Sequence, residues 1–446
     1  MSPFKDYDIR GKVPEDIDKK IAYKIGRAYC EIYQPDTIAV GFDIRLESPM
    51  ISNALMQGLV DGGANVKNIG LSGTEEVYFA TFSHKLDGGI MVTASHNPKE
   101  YSGMKLVGKE SRPICANTGL LDIKNLVETK DYSNVESSLG SIKYQSDKSA
   151  YINHLLSYID LGSLTPLTIL ANPGNGGAGI VLKKLEKYLP FNFIYINSKA
   201  DGNFPNGVPN PLLIDNQKST SSAVRESGAD LGIAWDGDFD RCFFFDANGC
   251  FIEGYYIVGL LAEMMLSKSP NAKIVHDPRL IWNTQEQTKK NGGITIQSKC
   301  GHTYIKEIMR SNDAVYGGEM SAHHYFRNFA YCDSGVIPWL LITELMCRSR
   351  ISLKELLNER IKAYPCSGEI NFNIEDPKKA FKRIKDHFFS MDGKFDDIDG
   401  ISFSFDEWRF NLRASNTEPL VRLNVETKGD KALLEKKVDE LSQLLL

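Results

Sequence analysis

The sequence lacks long apolar runs, paired cysteines and a one-sided charge, and each absence removes a class of function. No stretch of its 446 residues approaches the length needed to cross a bilayer. The N-terminal MSPFKDYDIRGKVPED is charged and has no apolar segment of the kind a secretory signal requires. A cytoplasmic protein with no membrane partner is therefore expected. The eight cysteines, at 30, 115, 242, 250, 300, 332, 347 and 366, include no CxxC pair. Neither a zinc site nor a disulfide framework is signalled, and free, mostly buried thiols are expected. A net charge of -5 disfavours a general nucleic-acid binder. It leaves room for an anionic small substrate, because a local cluster of Arg, Lys and backbone N–H groups can hold phosphate against the overall charge.

What is present is the composition of an ordinary globular protein, on a chain too long for a single core. Short β-branched runs alternate with helical patterns: TIAVGF (37 to 42), a helix near 48 to 61, NVKNIG (65 to 70), a helix near 74 to 85, then GGIMVTAS (88 to 95). That rhythm implies a parallel sheet covered by helices. It resumes after a polar, serine-rich stretch with LTILA (167 to 171), FNFIYIN (191 to 197) and ADLGIAWD (229 to 236). A third pass runs from YYIVGLLAEMM through KIVHD (273 to 277), ITIQS (294 to 298), a helix near 303 to 311, and AVYGGE (314 to 319). The tail differs: GEINFNI, a helix near 376 to 388, GISFSF, WRFNLRAS and EPLVRLNVE read as an antiparallel sheet with helices. The expected domains are 1–148, 149–252, 253–362 and 363–446. The fold class is α/β, with three related mixed-sheet α/β domains followed by a smaller α+β C-terminal domain.

Four segments carry candidate chemistry, and three follow a strand, where ligands of open α/β sheets bind. In Thr93-Ala94-Ser95-His96-Asn97-Pro98, Ser95 can present its hydroxyl as a nucleophile. A lone Ser-His pair more often merely caps a turn, and only the rest of the chain overturns that reading. In Asp236-Gly237-Asp238-Phe239-Asp240-Arg241, three alternating carboxylates would repel one another uncompensated. Hard oxygen ligands so placed suit Mg²⁺, although a solvated turn also fits, and no EF-hand glutamate follows to favour calcium. In Gly318-Glu319-Met320-Ser321-Ala322-His323, Glu319 and Ser321 can bond neighbouring sugar hydroxyls, with His323 beside them. In the fourth, Arg413-Ala414-Ser415-Asn416-Thr417 offers a donor-rich cup for a phosphate dianion, or only a turn. Arg10 and Lys105 add cations able to stabilise a transferring phosphoryl group.

Together these loops resemble the phosphohexomutase superfamily, and within it the bacterial phosphomannomutases of GDP-mannose synthesis. The resemblance runs in order through YDIRGK, TASHNP, NFPNGVPNPLL (203 to 213), DGDFDRC, HDPRLIWNT (276 to 284), GHTYIK (301 to 306), GEMSAHHYF and RASNTEP. It implies four domains around a central cleft. It implies Ser95 as a phosphorylated serine, with Asp236, Asp238 and Asp240 holding Mg²⁺ together with that phosphate. Arg10, Asn97, Lys105 and Arg241 would surround the transfer site. Arg279 and His302 would line the substrate cleft, His302 assisting proton transfer or orienting the sugar. Glu319, Ser321 and His323 would read the sugar, and Arg413, Ser415, Asn416 and Thr417 would hold the phosphate that is not reacting. Ala414 stands where many relatives carry glycine, and GEMSA is the form of mannose and glucose mutases rather than of glucosamine mutases.

The activity so implied interconverts mannose 6-phosphate and mannose 1-phosphate through a hexose 1,6-bisphosphate, which also serves as activator, in a monomer or dimer. A dual-specificity phosphomannomutase/phosphoglucomutase is the alternative. A metal-dependent phosphatase and a non-catalytic sugar-phosphate sensor are the rivals from further afield.

Overall fold

The computed structural model describes residues 2–134, 139–414 and 420–445. The chain divides into two compact units, Met1–Phe251 with Asn328–Arg350, and Ile252–Arg327 with Ile351–Leu446.

In the first unit, strands Gly88–Val92, Thr37–Phe42, Asn65–Leu71 and Ile142–Tyr144 lie side by side and parallel. Tyr101–Gly108 and Ile9–Lys12 extend this sheet antiparallel beyond Gly88–Val92. Every residue of Gly88–Val92 is buried, as its unbroken apolar run requires of a strand covered on both faces. Helices Lys19–Tyr33 and Ser48–Asp61 bury Ile25, Leu55 and Leu59 against Val40 and Ile90 of the sheet. The first helix begins where the Asp18 carboxylate accepts the Ile21 N–H, and the second carries Pro49 in its first turn, where a missing N–H costs nothing. A second sheet is centred on Leu231–Trp235, parallel to Thr168–Asn172 and antiparallel to Cys242–Phe245.

The segment Asn328–Arg350, inside the stretch read from sequence as the third domain, packs with this first unit. Its helix Ile337–Ser349 sets Trp339 edge-on against Phe193. The Gly335 N–H donates to Glu75 (2.6 Å), and Tyr151 bonds the same carboxylate. One buried glutamate thus joins the first sheet's helix Thr74–Ser83 to both later segments.

In the second unit, Ile294–Gln297, Lys273–His276 and Tyr316–Gly318 are parallel, and His324–Phe326 is antiparallel to the last. The final domain is an antiparallel sheet in the spatial order Ile370–Asn373, Leu420–Thr427, Trp408–Ala414, Ile401–Ser404, Lys394–Asp396. Helices Pro377–Phe389 and Lys431–Leu445 cover one face with Phe388 and Leu441 on Phe403, Phe410 and Leu423. Arg409, 1% exposed, fastens this sheet to the preceding domain: its guanidinium donates to the carbonyls of Arg279 (2.7 Å) and Pro278 (2.9 Å) and to Glu426 (2.9 Å). Glu426 in turn accepts the Ile281 N–H (2.7 Å) and the Tyr255 hydroxyl.

The architecture is therefore the expected one, three mixed α/β sheets and a smaller α+β domain. All eight cysteines are free, five of them buried. Among the described residues no helix is long and apolar enough to cross a membrane.

Candidate active site

Ser95 lies just past the carboxyl end of Gly88–Val92, in the left-handed backbone region at φ +50°. Its loop is held from beneath by two buried residues. Asp43 accepts the Thr93 hydroxyl (2.6 Å), and Thr93 Oγ1 in turn accepts the Ser95 N–H (2.9 Å). Arg45 donates to the carbonyls of Ser95 (2.8 Å), Asn97 (2.6 Å), Pro98 (2.7 Å) and Tyr101 (3.1 Å). A guanidinium spent on four carbonyls fixes the turn that leads from Ser95 to the strand Tyr101–Gly108.

The Asp236–Arg241 turn follows Leu231–Trp235 and meets this loop at van der Waals range. A Cβ on Gly237 would stand 2.4 Å from the Ser95 carbonyl oxygen, so only glycine permits the approach. Phe239, fully buried at φ +47°, anchors the turn. Ser95 Oγ then donates to Asp236 Oδ2 at 3.0 Å and lies 3.2 Å from His96 Nδ1.

Asp236, Asp238 and Asp240 are buried and bring ligand oxygens within 4.8 Å of one another. Lys105 bonds both Asp238 (2.7 Å) and Asp240 (2.5 Å), Arg241 bonds Asp236 (2.6 Å), and Thr74 donates to Asp238 (2.5 Å). Burial dominates the titration of Asp236 and pushes it up, with Arg241 opposing. At Asp238 burial also raises the value, but Lys105 and the hydrogen bonds outweigh it and hold the carboxyl well below its usual range. Burial, with the Arg241 charge, keeps the His96 ring neutral. Arg10 pairs with Asp8 (2.8 Å) and donates to Asn97 Oδ1 (2.5 Å).

The residues fit a divalent cation. Three carboxylates face two site cations, Lys105 and Arg241, and a phosphate dianion on Ser95 would deepen the excess of negative charge. Asp238 Oδ1 is buried without a hydrogen-bond partner among the described residues, which leaves a hard oxygen lone pair for a metal.

In the second unit, Glu319 follows Tyr316–Gly318 and accepts the Gly301 N–H (2.9 Å) and the Tyr325 hydroxyl (2.6 Å). Arg279 pairs with Asp277 (2.7 Å), donates to Ser321 Oγ (3.2 Å) and stands 3.7 Å from Glu319. His302 opens the helix His302–Asn312, directly after Gly301. His323 is half-buried with its ring 6.0 Å from that of Tyr325. Arg413, next to last in Trp408–Ala414, is 7% exposed. Ser415, Asn416 and Thr417 lie outside the described residues.

Family models of phosphoglucomutase/phosphomannomutase match the chain in sequence order: the alpha/beta/alpha domain I over 1–133, domain II over 149–249, domain III over 253–364 and the C-terminal domain over 369–444. A phosphomannomutase of Salmonella typhimurium is 55% identical over 451 residues, covering all of this chain and 99% of its own. The chain belongs to the phosphoglucomutase/phosphomannomutase family. A phosphomannomutase of Escherichia coli K12 is 53% identical over 451 residues (100% and 99% covered), and a protein named phosphohexose mutases of Xanthomonas campestris 54% over 445 (100% and 99%). A crystal structure of a family protein from Burkholderia thailandensis superposes with a TM-score of 0.88 at 28% identity, covering 99% of this chain and 96% of that one. The protein is accordingly a mutase, an enzyme of the isomerase class.

Sequence reasoning passed over several residues that support the candidate site. Asp43 and Arg45 follow Thr37–Phe42 directly, so their place at a strand end was the available signal. Asp8 lies within the YDIRGK motif beside Arg10, and Thr74 carried no signal beyond its polarity.

Proposed function

We propose that this enzyme is a magnesium-dependent phosphomannomutase that interconverts mannose 6-phosphate and mannose 1-phosphate through a phosphoserine at Ser95. The observation that carries the reading is the Ser95 hydroxyl, buried and 3.0 Å from Asp236 within a three-carboxylate cluster that Lys105 spans. Asp236, Asp238 and Asp240 would hold the Mg²⁺, which when bound neutralises the phosphoserine and polarises its phosphorus–oxygen bonds.

The chain's own groups account for the rest. In the forward half-reaction the bond between phosphorus and Ser95 Oγ breaks and one forms to the free sugar hydroxyl; the proton that hydroxyl loses is on balance gained by Ser95 Oγ, with His302 assisting the transfer or orienting the sugar. Lys105, Arg10 and Arg241 supply positive charge for the phosphoryl in flight. Neutral His96 and the Arg241 guanidinium stand over Oγ, able to orient it and hold its developing charge. Glu319, Ser321 and His323, with Arg279 behind them, recognise sugar hydroxyls, and Arg413 with Ser415, Asn416 and Thr417 grips the phosphate that is not reacting. The bisphosphate so formed returns its other phosphate to Ser95. A hexose 1,6-bisphosphate is accordingly the activator for enzyme whose Ser95 is free. Supply of mannose 1-phosphate to GDP-mannose synthesis in the cytoplasm follows from this reading.

The test compares conversion of mannose 1-phosphate and glucose 1-phosphate side by side, with Mg²⁺ and a hexose 1,6-bisphosphate primer. A strong mannose preference supports the proposal, and comparable rates would make the enzyme dual-specific. Steady release of inorganic phosphate without isomerisation would overturn it.

A further inference from the structure

The motif at 203–213 carries none of the site residues, yet part of it walls a crevice of about 520 Å³ in the first unit. That volume is ordinary for a small-ligand site. The chain leaves strand Thr168–Asn172 for Asn192–Tyr195 on one side of it, then turns back past it to Leu231–Trp235 on the other. Crossovers between parallel strands are right-handed, so the reversal sends the connecting helices Ala178–Leu185 and Ile214–Ser227 to opposite faces. Open α/β sheets bind ligands outside the carboxyl ends of the strands where neighbouring connections part in this way. Asn172 and Gly174 from the first of those strand ends, and Ile196 and Asn197 from the second, line this crevice. Ser95, Asp236, Asp238 and Asp240 do not. Its walls are tied together. Asn206 donates to Asn175 and Asn197 (both 2.9 Å), and Asn216 to the Asn210 carbonyl (3.1 Å). Gly174, at φ +59°, admits Pro209, since a Cβ there would stand 2.3 Å from Pro209 Cβ.

The lining selects the ligand. Asparagine amides and the hydroxyls of Ser219 and Ser222 stand beside apolar Val208 and Ala223. Its one lysine, Lys218, is exposed and paired with Asp215 (2.6 Å), and Glu226 adds a further carboxylate. A phosphate finds no cluster of cations here of the kind that Arg10, Lys105 and Arg241 make. Asn210 Oδ1 is buried without a hydrogen-bond partner among the described residues. An amide oxygen so placed is costly to leave unpaired, and it gives up no bond when the amide turns about Cβ–Cγ towards a ligand. A hydroxyl donates and accepts, so it meets either end of that amide. We propose that this crevice is a second binding site, separate from catalysis, for a neutral polyhydroxylated ligand: a hexose unit without phosphate, held by the Asn210 amide and the Ser219 and Ser222 hydroxyls.

The experiment titrates methyl α-D-mannopyranoside and methyl α-D-glucopyranoside into the full chain, followed by ligand-observed NMR, for the wild type, N210L and S219W. Excess mannose 1-phosphate is present without Mg²⁺, so that the catalytic cleft is filled and nothing turns over. The wild type is expected to bind at least one glycoside saturably in the millimolar range. N210L, which removes the amide, should bind about tenfold more weakly. S219W, an exposed helix position whose indole would fill the crevice, should not bind. Both variants should convert mannose 1-phosphate within twofold of the wild type once Mg²⁺ and primer are added, which shows that they fold. Absence of saturable binding to the wild type overturns the inference, as does displacement of the glycoside by mannose 1-phosphate, which would assign the binding to the catalytic cleft. Wild-type affinity in either active variant overturns it equally.

Discussion

Replacing Gly237 with alanine tests how the site is assembled. The new Cβ would stand 2.4 Å from the Ser95 carbonyl oxygen and 3.2 Å from its carbonyl carbon, against an ordinary contact of 3.4 Å or more. The obstacle is backbone held by Arg45, not the end of a flexible side chain, so the two loops must separate by about 1 Å. That displacement lengthens the 3.0 Å bond from Ser95 Oγ to Asp236 beyond hydrogen-bonding range. A misplacement of this size at a reacting group costs roughly a hundredfold in rate, while overpacking costs about 1–3 kcal/mol of stability. The expected outcome is a kcat reduced by about two orders of magnitude in a protein that remains folded at 25 °C. Gly108→Ala is the control, because nothing lies within 4 Å of its Cβ position. Coupled assay of mannose 1-phosphate conversion, with thermal melts of both variants, makes the comparison. G237A activity within twofold of wild type would refute the claim that this glycine sets the distance between nucleophile and carboxylates.

Three further outcomes are expected. Burial raises Glu75 from its ordinary 4.5 to about 8, against the opposing hydrogen bonds of Tyr151, Ser334 and Gly335. The folded state holds this proton more tightly than the unfolded chain, so its contribution is complete below pH 4.5 and is lost as pH rises through about 8. Chemical denaturation across that range should show a fall of up to about 1.4 kcal/mol per pH unit in the wild type that Glu75→Gln flattens; parallel profiles would contradict this. Arg409→Met leaves Glu426 buried without its cation and should cost about 3–5 kcal/mol, read as a lowered denaturation midpoint, whereas a loss below about 1 kcal/mol would show the pair to be dispensable. Asp238→Asn removes the carboxylate whose second oxygen has no hydrogen-bond partner among the described residues, and should raise the Mg²⁺ concentration for half-maximal activity at least about tenfold; an unchanged Mg²⁺ titration would exclude Asp238 as a ligand.

Much of the fold was legible because its central strands are unmistakable. Thr37–Phe42 coincides with TIAVGF, and Leu231–Trp235 with the heart of ADLGIAWD, since a buried parallel strand must be continuously apolar. The antiparallel strands that make the sheets mixed were harder to see. Ile9–Lys12 is four residues long and carries Arg10 for the site, and Tyr101–Gly108 mixes glycine, serine and Lys105 among apolar residues. Neither pattern has a clean period, because the same residues serve both sheet and site. Ser95 and the aspartates were legible as motif residues at strand ends. Arg45 was not, because a buried arginine that bonds carbonyls and pairs with Asp43 looks in sequence like any surface cation.

The central claim is that Ser95 carries the phosphoryl group between two sugar oxygens. The most direct measurement is peptide mass spectrometry of enzyme incubated with a hexose 1,6-bisphosphate and then, after removal of excess, with unlabelled mannose 1-phosphate. The peptide containing Ser95 should gain the mass of one phosphoryl group in the first step, and mannose 1-phosphate should become mannose 6-phosphate in the second, neither occurring in Ser95→Ala. Turnover without phosphorylation of Ser95, or undiminished turnover by Ser95→Ala, would contradict the account.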